Sequence, residues 1–279
     1  MYPFYYYVAV EAGSKQLVDQ SYFKGSMEFR SRCAMMLEAA LRTAVACRSL
    51  KLATTIVETV GMFKIGCYPT QTQWFDGVMQ RTYGCMPRLQ IKDTNIENLE
   101  EKEMATGDLL SVGLELTRLH AEAFTRQKVA MFQKQGIPPQ VGLQTYREAW
   151  WFLVRGERLD GKGGVEMSKL LEIKSDGLLQ EVDASVLKKY DVATFEERLV
   201  TAWPMIVQNV AQKTGKLKIQ FLAPAVPGKY KFTVIVKSQD FLGADQDFSV
   251  EATIVDASTV VRKPKEEKPK EEEEPKKDK

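Results

Sequence analysis

The sequence predicts an α+β protein of more than one domain, in which a helical region precedes an antiparallel β region. The first observation is the spacing of apolar residues, which is three to four before residue 90 and two after residue 108. The second is the composition, with 44% hydrophobic and 27% charged residues in a chain of 279, as in a globular protein with a sizeable core. The third is the tail 262–279, which contains almost only Lys, Glu and Pro.

Helical spacing dominates the first part of the chain, and we predict a helical bundle over residues 1–105. A first helix is expected to begin at Ser26, which has the side chain of a typical N-cap. A second is expected over residues 52–63, and a third opens at Thr70. Each has one apolar stripe, and these stripes must bury against one another.

Alternation of apolar and polar residues marks a predicted β region over residues 106–257. Several short strands with an early tryptophan are typical of an antiparallel sandwich of the immunoglobulin or fibronectin type III class. Two helix-like stretches, 120–135 and 178–203, are expected to be excursions from the sheets. The strands are predicted at 112–117, 150–154, 217–223, 230–237 and 248–255.

The tail over residues 258–279 is predicted to be disordered, because a segment with so few apolar side chains cannot bury enough surface to offset chain entropy.

Residues with catalytic chemistry do not form a recognisable set. The single histidine, His120, excludes a two-histidine zinc site within one chain, and no G-x-S-x-G motif accompanies it for nucleophilic catalysis. Residues 156–162 have the glycine and lysine spacing of a phosphate loop, but Gly163 stands where Ser or Thr would hold magnesium, which favours a hairpin loop. We therefore predict no enzyme activity, no cofactor and no metal, and a structural role for His120.

Charge and cysteine usage bear on partners and location. Lys and Arg number 39 against 37 Asp and Glu, so the net charge of +2 gives no reason to expect a nucleic-acid partner. The four cysteines form no C-x-x-C pair, and no Asn-x-Ser/Thr acceptor occurs. Both features favour a reducing, cytosol-facing environment.

The C-terminal strands carry several motifs in a fixed order. These are Trp150 and Trp151, then Phe-Leu-Ala-Pro at 221–224, Pro-Gly-Lys-Tyr-Lys-Phe-Thr at 227–233 and Lys-Ser-Gln-Asp-Phe-Leu-Gly-Ala-Asp-Gln at 237–246. Together they resemble the end of the Sec-sixty-three (Brl) domain family. In that family a Pro-Gly-x-Tyr-x-Tyr/Phe-Thr strand precedes Ser-Asp-x-Tyr-x-Gly-x-Asp-Gln. The resemblance is closest around 221–250, and residues 107–118 are similar to the family's first β-strand.

The resemblance implies a helical bundle followed by a fibronectin type III-like sandwich that acts as a non-enzymatic scaffold. In this family the unit belongs to the J-domain membrane subunit of the endoplasmic-reticulum translocon and leans on a cytosolic loop of the protein-conducting channel. The implied partners are that channel and associated Sec subunits, with no small-molecule substrate and no nucleic acid. The implied location is the cytosolic face of the endoplasmic-reticulum membrane, reached through partners only, with the cytoplasm as the alternative.

The chain also departs from the family. A J-domain needs His-Pro-Asp, yet Ala121 follows His120, and no apolar run is long enough to span a bilayer. The chain is therefore expected to be either the detached cytosolic portion or a separate subunit beside a membrane partner. The loop motif of the family has its acid at the position that Gln239 occupies here, whereas this chain has its acid one position later, at Asp240.

Contacts in such a sandwich come from loops and edge strands. The candidate partner-binding residues are Gln239, Asp240, Phe241, Asp245 and Gln246, together with the loop around Pro227. Asp245 and Gln246 have a second interpretation, in which they hydrogen-bond the turn before the last strand.

Two other functions stay open from the sequence. One is an accessory module related to the C-terminal domain of Ski-type and spliceosomal RNA helicases, binding RNA-processing partners. The other is a generic fibronectin-like adhesion or enzyme-accessory domain.

Overall fold

The structure is a computed structural model that describes residues 20–65, 77, 79–81, 84–99, 101–144, 146–161, 165 and 198–260. Its helices are α1 (Gln20–Ala46), α2 (Leu50–Ile65), α3 (Ala121–Lys134) and α4 (Pro139–Gln144). Its strands are β1 (Leu89–Asn98), β2 (Leu109–Arg118), β3 (Glu148–Arg158), β4 (Leu199–Val207), β5 (Thr214–Leu222), β6 (Gly228–Ser238) and β7 (Gln246–Ile254).

The strands form two antiparallel sheets. One has three strands in the order β1-β2-β5, and the other has four in the order β4-β3-β6-β7. Buried side chains from both sheets, such as Val112 and Ile219 from the first and Trp150 and Phe232 from the second, belong to one hydrophobic core. The two sheets therefore pack around a common interior.

The four-stranded sheet is buried on its other face as well. Leu153 of β3 and Leu199 of β4 share a second core with Leu41, Ala44 and Val57 of α1 and α2. Because successive side chains of a strand point to opposite faces, neighbouring residues of β3 enter different cores. The described residues thus form three layers, with α1 and α2 on one side of the four-stranded sheet and the three-stranded sheet on the other.

Five strands and two helices are confirmed close to their predicted positions. Strands β2, β3, β5, β6 and β7 cover the five predicted strands, and α3 covers most of the stretch predicted over 120–135. The second predicted helix corresponds to α2.

The sheets begin earlier than predicted, because β1 lies within the range 1–105 that the sequence assigns to helices. The register of β1 against β2 shifts between Lys92 and Asn95, as at a β-bulge. A bulge puts two residues opposite one and breaks the alternation, so the strand does not show the period of two.

The prediction of helix up to residue 203 is wrong for its last part, which is β4. The first residues of this strand are buried on both faces, with Leu199 in the outer core and Val200 in the inner one. A strand buried on both faces has a nearly continuous apolar run in place of alternation. Residues 178–197 lie outside the described part of the chain.

The start of the first helix also differs, since Ser26 lies inside α1 and is not its N-cap. Serine occurs inside helices as well as at N-caps, so a serine alone does not show where a helix begins.

Parts of the remaining predictions lie outside the described residues. Trp74 and Phe75 of the predicted third helix are among these, and so is the tail 261–279. Residues 258–260, the first of the tail predicted over 258–279, are described, and Ser258 and Thr259 belong to a 3-10 helix, Ala257–Thr259, where the sequence predicts disorder. The helical bundle and the division into domains stay predictions. No helix in the described part of the chain is long and apolar enough to cross a membrane.

Candidate partner-binding site

The β6–β7 loop, residues 239–245, contains four of the five candidate residues and has a shape fixed by hydrogen bonds. Ser238 Oγ accepts from the backbone N–H groups of Asp240 and Phe241, both at 3.1 Å. The N–H of Ala244 donates to the carbonyl of Phe241 at 3.3 Å. The serine of the motif thus holds the loop start in one conformation.

Asp240 joins this loop to the start of β3. Its carboxylate accepts from the backbone N–H of Ala149 at 2.6 Å, and the N–H of Gln239 donates to the Ala149 carbonyl at 2.9 Å. The acid at position 240 therefore has a structural partner, whereas the side chain of Gln239 is half-buried.

Phe241 belongs to an aromatic cluster between the loop, α3 and β3. Its ring lies 5.5 Å from Phe124, 5.9 Å from His120 and 6.3 Å from Trp150, measured between centroids. The contacts with Phe124 and His120 are edge-to-face, the arrangement that the ring quadrupole favours. Phe241 is only partly buried, so part of the ring faces outward.

Asp245 and Gln246 lie at the other end of the loop. Lys237 Nζ donates to Asp245 at 2.6 Å and to Glu58 of α2 at 2.5 Å. Burial by itself lowers the pKa of Lys237, but the hydrogen bonds to Asp245 and Glu58 outweigh it and leave the pKa raised. Gln246 begins β7, and its buried amide nitrogen has no hydrogen-bond partner among the described residues.

A pocket of about 240 Å³ opens beside the β6–β7 loop, between it and the hairpin of α3 and α4. We call it the aromatic pocket, because Phe124, Phe132 and Phe241 line it. Gly142 of α4 lies against the Phe132 ring, and a Cβ there would come within 2.6 Å of it. The glycine therefore permits the close approach of α4 to α3 that shapes this wall.

Two cations and one acid also line the aromatic pocket. Lys128 comes from α3, and Arg147 precedes β3. Neither forms an ion pair within the part of the chain that the structure describes. Asp240 contributes the carboxylate, which accepts from Ala149 as described above.

Behind the pocket, the carboxylate of Glu148 collects donors from four side chains. We call this the Glu148 network. Arg118 Nε donates to Glu148 Oε1 at 3.1 Å and a second Arg118 nitrogen reaches Oε2, while Trp150 Nε1 donates to Oε1 at 2.6 Å. The Tyr146 hydroxyl donates to Oε2. Both Glu148 and Arg118 are buried, so the pair is shielded from solvent.

His120 completes the Glu148 network. Its Nε2 lies 3.1 Å from both carboxylate oxygens, and its Nδ1 lies 3.2 Å from both the backbone nitrogen and the carbonyl oxygen of Arg88. Because a carboxylate only accepts, Nε2 is the donor to Glu148, whereas Nδ1 has both a donor and an acceptor of Arg88 within reach. The ring is fully buried, which agrees with the structural role predicted for it.

The pKa values in this network follow from its contacts. Burial by itself would raise the pKa of Glu148, but hydrogen bonds from His120 and Arg118 and the electrostatic interaction with both side chains lower it to about 2. Burial raises the pKa of Tyr146 far above its usual range, and the adjacent Glu148 charge adds to this. Glu148 is thus ionised at neutral pH, and both of its oxygens accept hydrogen bonds from the surrounding side chains.

The sequence analysis missed the Glu148 network. Arg118 and Glu148 are 30 positions apart, and neither stands in a motif. The available signal was that Glu148 directly precedes the apolar run 149–154 and Arg118 ends a predicted strand, and a charge buried at such a place requires a partner.

Two other sequence candidates have structural positions. Gly156 lies inside β3, where a Cβ would come within 2.5 Å of Val165, so it serves close packing and not a phosphate loop. Pro227 is exposed in the connection between β5 and β6, which belong to different sheets. Among the described residues no group of three or more His, Cys, Asp or Glu side chains is placed to hold a metal ion.

Comparison with known proteins finds similarity among solved structures only. No family model matches the chain, and no curated protein matches it. Among solved structures, similarity is found to the CARDB domain of the PF1109 protein from Pyrococcus furiosus, in a crystal structure with di-metal ions and in a solution NMR structure. Both matches have 8% identity and a TM-score of 0.28 and cover 61% of this chain, with 90% and 96% of the respective neighbour. A likeness of this size supports no argument about the present chain.

Proposed function

We propose that this chain is a non-enzymatic interaction scaffold of the endoplasmic-reticulum protein translocation machinery. Its partners in this proposal are the protein-conducting channel and associated Sec subunits. It acts at the cytosolic face of the endoplasmic-reticulum membrane and associates with the membrane through these partners. The two sheets are then a fibronectin type III-like sandwich, with α1 and α2 as part of a preceding helical bundle.

One observation carries this proposal: the residues that resemble the Sec-sixty-three (Brl) family form one structural unit. Trp150, Tyr230 and Phe232 are buried in the common core, and Phe241 packs on Trp150. Ser238 and Asp240 fix the loop that follows. The motif at 237–246 thus begins opposite the start of β3, where Ser238 pairs with Trp150, and the motif at 227–233 lies opposite its end, where Tyr230 pairs with Arg158. Motifs about 80 positions apart in the chain therefore lie on neighbouring strands, which supports the proposal.

A preformed loop suits a binding module. A loop that already has its bound shape loses less conformational entropy on association, which leaves more of the contact energy for affinity. Binding to a channel loop can shift a closed–open equilibrium only if the scaffold binds one state more tightly than the other. No covalent step is needed.

Affinity purification tests this proposal. The tagged full chain is recovered from detergent-solubilised membranes, and we expect channel subunits to accompany it. Recovery of RNA-processing factors without channel subunits would overturn the proposal in favour of the helicase-related alternative.

A matched pair of glutamine variants locates the contact. Gln239→Ala alters the β6–β7 loop without removing any of the side-chain hydrogen bonds described above, and Gln90→Ala alters an exposed position on β1 of the other sheet. We expect weaker recovery of channel subunits with Gln239→Ala only. Equal recovery with both variants would move the contact away from this loop.

A further inference from the structure

We propose that the aromatic pocket binds a peptide segment of a partner protein, with one apolar side chain inserted between the three phenyl rings and a carboxylate beside Lys128 and Arg147. This inference rests on the proposed function as a scaffold and names the surface and the chemistry of the segment that it recognises.

The size of the pocket favours a single anchoring side chain. Its volume of about 240 Å³ is below the roughly 300–1,000 Å³ of typical small-molecule and cofactor sites. Energetic hot spots of protein interfaces are pockets of this kind, filled by one aromatic or large aliphatic side chain and closed off from water. The dimensions therefore fit one residue of a peptide better than a free metabolite.

Phe132 and Phe241 are the partly exposed rings of the pocket, and the buried Phe124 supports them from below. Phe124 is 1% exposed and packs edge-to-face on Phe241, with an interplanar angle of 82°. The close contact with Gly142 holds Phe132 against α4. An incoming aromatic side chain would meet ring edges and faces without first ordering them.

The charge of the pocket rim selects an acidic segment. Lys128 and Arg147 have no ion-pair partner in the described parts of the chain, so the lining has two cations against the one carboxylate of Asp240, which also accepts from the Ala149 N–H. A carboxylate next to the anchoring residue would satisfy both cations, and a basic segment would be repelled by them. Charge complementarity thus distinguishes an acidic peptide from other apolar segments.

The corner between α3 and α4 extends the same surface. Ile137 is 38% exposed, and Val141, next to the pocket residue Gly142, is 57% exposed. A chain that runs out of the pocket would cover them, which would remove apolar surface from water. A membrane would engage only such protruding side chains and could not reach rings recessed in a pocket.

Selection from a displayed library of random nine-residue peptides on the full chain tests the proposal. We expect enrichment of sequences with an aromatic residue or leucine flanked by Asp or Glu. Failure to enrich any motif, or enrichment of basic or wholly polar peptides, would overturn the inference.

Charge-reversal variants then locate the site. A fluorescein-labelled copy of the enriched peptide is titrated against Lys128→Glu/Arg147→Glu and against the control Arg126→Glu/Lys134→Glu, which changes the net charge equally at exposed positions of α3. We expect the pocket variant to bind at least roughly tenfold more weakly and the control to bind nearly as the native chain does. Equal weakening by both variants would mean general electrostatic attraction and would overturn the proposal.

Two further measurements separate this inference from others. Thermal melting confirms that both double variants are folded. Sedimentation with phosphatidylserine vesicles that is lost in the pocket variant, without peptide enrichment, would mean a lipid surface and overturn the inference. If the native chain recovers channel subunits but enriches no peptide, the proposed function stands and the inference falls. If the peptide binds but no channel subunit is recovered, the peptide site stands and the proposed role in translocation falls.

Discussion

The two faces of the four-stranded sheet are both buried, but against different layers. The inner face meets the three-stranded sheet, and its residues Trp150, Phe152 and Val154 are 0% exposed. The outer face meets α1 and α2 through Leu153 and Leu199, with other side chains only partly buried. One strand thus contributes to two cores that differ in partner and completeness of burial, so adjacent substitutions can report on each core separately.

The two tryptophans of β3 make the sharpest comparison, because identical side chains at neighbouring positions enter opposite faces. Trp150→Ala removes a fully buried ring and the donor to Glu148, and we expect a loss of about 3–5 kcal/mol of unfolding free energy. Trp151 is partly buried on the outer face, so Trp151→Ala should cost roughly 1–2 kcal/mol. Urea denaturation measures both. Equal losses would show that the two faces do not differ in burial energy.

Trp150→Phe tests the same comparison if Trp150→Ala does not fold. It keeps most of the apolar surface but removes the indole N–H, and it should still be less stable than Trp151→Phe.

The Glu148 network lies at the polar end of the inner face. Its loss should cause the next largest decrease in unfolding free energy. Glu148→Gln keeps the shape but leaves Arg118 without its buried counter-charge, and we expect a loss of roughly 3 kcal/mol near neutral pH. The folded-state pKa of about 2 lies below the ordinary value of 4.5. The carboxylate therefore stabilises the native state above about pH 4.5, and this contribution is lost as the pH falls towards 2.

Urea denaturation at a series of pH values between 6 and 2 measures this contribution. The native chain should lose stability through that window, whereas Glu148→Gln should show a smaller pH dependence. The control is Glu122→Gln, which removes an exposed carboxylate paired with Lys213. A Glu148→Gln profile parallel to that of the native chain would contradict a role for this carboxylate in acid stability.

Much of the inner face was predictable from the sequence, and the outer face was not. Strands β2 and β6 show their alternation because polar residues such as Glu115 or Lys231 interrupt the apolar ones. The first residues of β4 are buried on both faces and lose that signal, so the sequence predicted a helix there. That α1 and α2 lie on a sheet and not only on one another follows from long-range packing, which periodicity does not encode.

The candidate site also has a part that the sequence predicted, the β6–β7 loop, and a part that it did not, the aromatic pocket. The resemblance located the β6–β7 loop from local motifs, and the structure gives Asp240 and Phe241 defined roles within it. Phe132 and Phe241 of the aromatic pocket are more than 100 positions apart, and only the fold brings them together. Local sequence patterns therefore indicated the loop but not the pocket beside it.

The outer face should open separately from the inner one. Leu153→Ala leaves a cavity under α1 and α2, and we expect a loss of about 2–3 kcal/mol. Amide hydrogen exchange should rise most at Val57 and Val60 of α2, with less change in β6. Val154→Ala, the adjacent substitution on the inner face, is the control and should affect both sheets. If Leu153→Ala raises exchange equally in α2 and β6, the two cores unfold as one unit and the distinction between them fails.

Lys237 connects α2 to the β6–β7 loop. Removing its charge should cause the smallest of these decreases in unfolding free energy. The side chain is 11% exposed and pairs with Glu58 and Asp245, so Lys237→Met should cost about 1 kcal/mol while keeping the apolar stem. Because the pKa of Lys237 is raised, its stabilising contribution is present below its ordinary value of 10.5 and is lost as the pH rises above it.

The exposed pair of Lys216 and Glu115 is the control for this connection, and Lys216→Met should give no measurable loss. A double-mutant cycle between Glu58→Gln and Asp245→Asn then tests whether Lys237 couples α2 to the β6–β7 loop. We expect the two losses to be non-additive, because both carboxylates hold the same ammonium group. Additive losses would mean that the loop and the helices are energetically independent, and a partner bound at the loop could not be sensed by the outer face through this lysine.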